Sequence, residues 1–254
     1  MVNTVVLGWP LAALLVVLTA GAATVTQLAG LGRSRSVVVA AVRAVLQLAA
    51  VSLVIGVVLR SLALTAAFLM LMVVVATGTS AHRITDSLRP RSWWTAVPIL
   101  AGVVPAIGAI LLSTVMPIEP VAILPTAGIL IGGAMTATSI AGRRATEELT
   151  AQRGSYEAAL SLGLSRRDGV SLVARDAAGL ALVPGLDQTR TVGLVTLPGA
   201  FVGVLLAGGS PLQAGAVQLL VLVALLLVQA LAVTVTIELI SAGLLPVGAD
   251  VLPD

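Results

Sequence analysis

Long apolar runs separated by short polar stretches dominate the chain, at roughly 4–30, 37–59, 61–79, 95–116, 120–141, 191–208 and 212–244. A helix needs about 20 mostly apolar residues to cross the hydrocarbon of a bilayer, and each run meets or approaches that length. The third and sixth are short; the last is long enough to tilt or to extend past the bilayer. The pattern predicts an all-α, polytopic integral membrane protein with about seven transmembrane helices, as a single domain over 1–254. One sizeable polar segment interrupts it, at about 142–190, where Glu147, Glu148, Glu157, Asp168, Asp176 and Asp187 stand among arginines. Helices are expected there, with breaks near Gly163 and at Pro184-Gly185.

Composition supports lipid as the solvent. The chain is 58% hydrophobic and 10% charged, with a mean hydropathy of +1.12, whereas a soluble domain is about 25% charged. There is no lysine, so all 14 basic residues are arginine. Arg33, Arg35, Arg83, Arg89, Arg91, Arg143, Arg144, Arg153, Arg166, Arg167, Arg175 and Arg190 fall on one side if seven spans alternate. The other side holds Arg60 and Glu119. Cytoplasmic loops carry the excess of basic residues, so the N-terminus is expected outside, the C-terminus inside, and 142–190 in the cytoplasm of a cell with this chain in its plasma (inner) membrane. The start, Met1-Val2-Asn3-Thr4, lacks the basic region of a secretory signal, so the first run is expected to be retained. The outer loops are tiny and leave no room for a receptor or enzyme domain.

The candidate chemistry is sparse. Without lysine, no GxxxxGK[ST] phosphate loop can exist. Without cysteine, disulfides and thiolate metal sites are excluded. The single histidine, His82, reads as a solvated loop residue, and no His/Asp/Glu cluster suggests a metal site. His82 and Ser80 alternate around a helix, which argues against a serine dyad. The polar segment holds Glu157-Ala158-Ala159-x-x-x-Gly163. Its small residues would allow close packing into a partner's groove, Glu157 would meet a basic partner, and Gly163 permits a sharp turn. An ordinary solvated helix carries the same letters, and Val173-Ala174-Arg175-Asp176 stands where importer permeases continue with Ile-x-Leu-Pro. Placement in the one large polar loop favours the docking reading.

Inside the apolar runs, Arg43 and Gln47 share a helix face, as do Gln218 and Gln229. Arg43 could anchor at the interface by snorkelling or face the protein interior. Glu238, near the inner end of the last run, is a candidate for gating or for pairing with an arginine. Between Pro184 and Gly199 a charged turn leads into a span interrupted by Gly193, Pro198 and Gly199, a pattern that either lines a pathway or merely kinks for packing.

The sequence resembles the small ABC permeases of the Fet-type iron exporter group, which has plant relatives implicated in aluminium tolerance. The resemblance runs through Arg43-x-x-x-Gln47-Leu48, Gly132-x-Ala134-Met135-Thr136-Ala137-Thr138-Ser139, the stretch around Glu157, Pro184 to Gly199, Gly203, Leu206 to Pro211, and Ala214 to Gln218. It departs at Gly133, where the family favours Asn, and after Gly199, where methionines and a Gly-Gln are replaced by Ala200-Phe201-Val202-Gly203-Val204.

The resemblance implies a permease that exports iron or another metal ion. It would work as a homodimer, with ATP and Mg²⁺ bound by a separate cytoplasmic ABC ATPase and no cofactor or nucleic acid on this chain. Glu157, Ala158, Ala159 and Gly163 would form the coupling site; Arg43, Gln47, Met135, Pro198, Gly199, Gln218 and Glu238 are pathway or gating candidates. Two alternatives remain beside it. An ion-driven secondary transporter would need intramembrane acids, of which Glu238 is the main one. A non-transporting scaffold coupled to an ATPase would need an outside domain, for which the loops leave no room.

Overall fold

The computed structural model describes residues 8–85 and 90–245. Residues 4–7 of the first expected span, and Asp86 and Arg89, lie outside these. Seven described helices are long and apolar enough to cross a membrane: Trp9–Leu28, Ser34–Val58, Leu62–Thr85, Ser92–Leu112, Pro120–Ala151, Arg166–Thr191 and Pro211–Ser241. No strand occurs among the described residues; the one bridge pairs Val192 with Thr196.

The chain forms two units, Met1–Arg60 and Ser61–Asp254. In the first, α1 (Trp9–Leu28) and α2 (Ser34–Val58) pack as an antiparallel hairpin. None of the α1 side chains is buried, as befits a helix whose apolar surface is solvated by lipid.

The second unit is built around two long helices, α5 (Pro120–Ala151) and α10 (Pro211–Ser241), which pack on each other. Against them stand α3 (Leu62–Thr85), α4 (Ala96–Leu112), α7 (Arg166–Gly179), α8 (Val183–Thr191) and α9 (Gly199–Leu206), with the short α6 (Arg153–Ser161) beside α7. Lipid tails are as apolar as leucine, so close packing rather than burial from water holds such helices together. The core is accordingly rich in small residues: Ala134, Ala137, Ala141, Ala145, Ala174, Ala178 and Ala232 are all buried. Glycine brings backbones closest. A Cβ on Gly102 of α4 would stand 2.6 Å from the Val228 carbonyl oxygen of α10, and one on Gly142 of α5 would stand 2.5 Å from Ile84 Cδ1 of α3.

Two boundaries differ from the sequence expectation. α5 does not end near 141 but runs on as one helix to Ala151, 32 residues in all. That is about 48 Å of helix against about 30 Å of hydrocarbon, so one end of α5 stands beyond the bilayer core. Its polar last turns carry exposed Arg143 and Arg144, both paired with Glu147 at 3.6 Å. The sixth apolar helix is Arg166–Thr191 rather than 191–208. The latter stretch holds a turn and then α9, only eight residues long. Glycine and proline punctuate this stretch, whereas α7, a 3-10 turn over Leu180–Leu182 and α8 follow one another without a gap. His82 sits in the last turn of α3, not in a loop, and its side chain is exposed.

The close approach at Gly102 has a measurable consequence. Gly102→Ala should destabilise the folded protein by about 1–3 kcal/mol, the usual cost of overpacking, and lower Tm in detergent. Gly108→Ala, on the same helix with open space around it, should leave Tm unchanged or raise it. An unaltered Tm for Gly102→Ala would contradict the α4–α10 contact.

Candidate functional site

The Glu157 motif lies on α6, and local chemistry sets both ends of the turn that follows. Gly163 has φ of +90°, a left-handed conformation that glycine adopts without strain. Its N–H donates to the Leu160 carbonyl at 2.9 Å, and the Leu164 N–H donates to the Ala159 carbonyl at 3.1 Å. This is a Schellman stop, which satisfies carbonyls the helix end would otherwise leave open. Ser165 then caps α7: its hydroxyl accepts from the Asp168 N–H at 3.2 Å and donates to the Asp168 carboxylate at 2.6 Å. Asp168 in the first turn also suits the positive end of the helix.

α6 has two faces. Tyr156 and Ala159 are buried, and the Tyr156 ring covers Gly169 of α7, where a Cβ would stand 3.1 Å from Cε2. Glu157, Ala158, Ser161 and Leu162 are exposed. The two alanines of the motif therefore part: Ala158 is open to a partner, while Ala159 is used inside the chain's own fold. Glu157 meets Arg153 at 2.8 Å, with both side chains about half exposed (51% and 52%). Such a surface pair is worth about 0.3–0.5 kcal/mol, too little to keep Glu157 from a stronger partner. Leu162 is 82% exposed at the tip. Sequence reading did not single it out; an apolar residue directly before the stop glycine of a polar loop was the available signal.

Glu238 lies near the C-terminal end of α10, where Arg167 approaches it at 2.6 Å and Arg175 at 3.8 Å. It is thus engaged by arginines, as one of its two sequence readings expected. Gln218 and Gln229 are both buried, and neither amide oxygen has a hydrogen-bond partner. Gln229 lies in a slot between Gly185 of α8 and Gly133 of α5, and a side chain at Gly185 would collide with its amide. Met135 is half-buried. Its carbonyl accepts from Ser139 Oγ at 2.7 Å and from Ser80 Oγ at 3.2 Å, which ties α3 to α5. Ser80 is fully buried while His82 is exposed, so the two form no dyad.

Pro198 and Gly199 cap and open α9, after the non-helical residues 192–198. Among the described residues, none donates a backbone hydrogen bond to the carbonyls of Val192, Gly193, Leu194 and Val195. Both α8 and α9 pack on α10, so this break runs alongside a spanning helix. Arg43 and Gln47 belong to the first unit, where both are exposed on α2. The structure thus joins Glu157, Ala158, Ala159 and Gly163 in one helix-turn-helix, and leaves the pathway candidates spread over several helices. Among the described residues no three His, Asp or Glu side chains lie close enough to hold a metal.

The chain is similar over residues 9–245 to the family described as Uncharacterised protein family (UPF0014). Rice UPF0014 membrane protein STAR2 is 35% identical over 84% of this chain and 74% of its own length. Protein ALUMINUM SENSITIVE 3 of Arabidopsis thaliana is 36% identical over 52% of this chain and 49% of its own. The probable iron export permease protein FetB of Escherichia coli is 31% identical over 50% of this chain and 48% of its own. No solved structure matches. With a family match over nearly the whole described length and seven helices able to span a bilayer, the chain is a multi-pass membrane protein that belongs to the UPF0014 family.

Proposed function

We propose that this chain is the permease subunit of an ABC transporter, that a separate cytoplasmic ATPase grips it at α6, and that it exports iron or another metal ion across the plasma membrane. The observation that carries the reading is the build of α6. Its inner face is locked to α7 through Tyr156 and Ala159, its end is fixed by the Gly163 stop, and its outer face offers Glu157, Ala158 and Leu162. A short rigid helix held between two longer ones transmits force well, and an exposed leucine beside a carboxylate suits an apolar groove with a basic rim. With the sixth span at Arg166–Thr191, Arg33, Arg35, Arg83, Arg143, Arg144 and Arg153 still fall on one side of the alternating spans, which supports an inner position for α6, with the N-terminus outside and the C-terminus inside.

In this reading ATP and Mg²⁺ are held by the ATPase, and two copies of the permease meet two copies of the ATPase. The metal ion is cargo. The name of the Escherichia coli relative, an iron export permease, supports iron as the first cargo to test. Neutral oxygens such as the unpaired Gln218 and Gln229 amides suit brief contact with a hard cation, and intramembrane polar groups without partners mark pathways by default.

Glu157→Arg reverses the charge on the docking face without touching the buried one. It should weaken co-purification with the ATPase by about a hundredfold, since a reversed charge at a paired interface costs about 2–5 kcal/mol, while leaving membrane insertion and Tm unchanged. Leu162→Asp should act in the same direction. Full recovery of the ATPase with both variants would contradict α6 as the docking helix.

A further inference from the structure

We propose that Glu238 is the strut that carries displacement of α6 into α10, a positioning role that rests on the permease reading above. α10 is the helix on which most of the second unit packs: α4, α5, α7, α8 and α9 all lie against it. Glu238 is its only charged residue. Its carboxylate, about one-third exposed, meets Arg167 at 2.6 Å and lies 3.8 Å from Arg175, two mostly exposed side chains two turns apart on α7. A third arginine reinforces the place. The Arg166 guanidinium lies 3.2 Å from where a Cβ of Gly243 would stand, just past the end of α10, where a cation meets the negative end of the helix.

α7 is also the helix to which α6 is bound. The chain of contacts therefore runs from α6 through Tyr156 and Gly169 to α7, and from Arg167 and Arg175 to Glu238 of α10.

The ion pairs add to the apolar packing of α7 on its neighbours. The buried side chains of α7 are short: Val170, Val173, Ala174 and Ala178. Such short side chains make shallow ridges, so an ion pair adds register to the packing. A carboxylate that meets two arginines two turns apart on α7 favours one register. Glu238 thus joins the coupling helix to the bundle rather than lining the pathway.

The chain has no cysteine, so labels can be placed singly. Spin labels at Leu172→Cys on α7 and Thr234→Cys on α10, both exposed, read the register with no ATPase present. Glu238→Gln should broaden the distance distribution, and the swap Glu238→Arg with Arg167→Glu should narrow it again. Arg167→Gln with Arg175→Gln gives the same reading from the α7 side should Glu238→Gln fail to fold.

In liposomes holding the permease–ATPase complex, Glu238→Gln should keep ATP hydrolysis near the wild-type rate while Fe²⁺ flux per ATP falls at least tenfold. An unchanged register, or flux and hydrolysis falling in proportion, would overturn the strut. Failure of the wild-type chain to bind an ATPase, with the register still broadened by Glu238→Gln, would instead sink the permease reading alone.

Discussion

A backbone that crosses hydrocarbon has to satisfy its own hydrogen bonds, because no water is there to do it. That constraint accounts for most of the second unit. It makes α3 and α10 regular helices and keeps α4 and α5 continuous around Pro105 and Pro125, and it leaves packing of small side chains as the force that holds them. It also gives weight to the two places where regularity fails. One is the turn between α6 and α7, where the Gly163 stop and the Ser165 cap replace part of the bonding the break removes. The other is the stretch 192–198, where four successive carbonyls accept no backbone bond from the described residues. The first is a finished joint, the second an open one. In the permease reading they are the handle and the pathway respectively.

The spanning pattern was legible because hydrophobic length is a strong signal. Trp9–Leu28, Ser34–Val58 and Pro211–Ser241 lie within a few residues of where apolar runs place them. Boundaries failed where polarity and helicity part company. α5 continues past Gly142 because Arg143, Arg144, Ala145, Glu147, Glu148 and Leu149 form helix well outside the lipid, so the loss of apolar character marks the membrane surface and not the helix end. The sixth span was misplaced for the opposite reason. Leu194 to Leu206 is apolar, but Pro198 and Gly199 restart the helix within it, and the longer helix is the amphipathic one before.

The candidate site was legible only in outline. The Glu157 motif and Gly163 pointed to the right turn, yet nothing in the spacing told that Ala159 faces inward while Ala158 faces out. That division is set by Tyr156 and Gly169, a contact across 13 residues. The arginine partners of Glu238 were likewise out of reach, since Arg167 and Arg175 approach it only because α7 folds back along α10. The Ser80–Ser139 link is the same kind of case, joining residues 59 apart in sequence.

The central claim is that α6 stands on the inner face of the membrane with its outer side open to a partner. The most direct measurement places a single cysteine at Ala158, in a chain with none of its own, and exposes sealed vesicles of each orientation to a membrane-impermeant maleimide. The account predicts rapid labelling only where the cytoplasmic face is outward, and protection once the ATPase is bound. Labelling from the opposite face, or from neither, would contradict it.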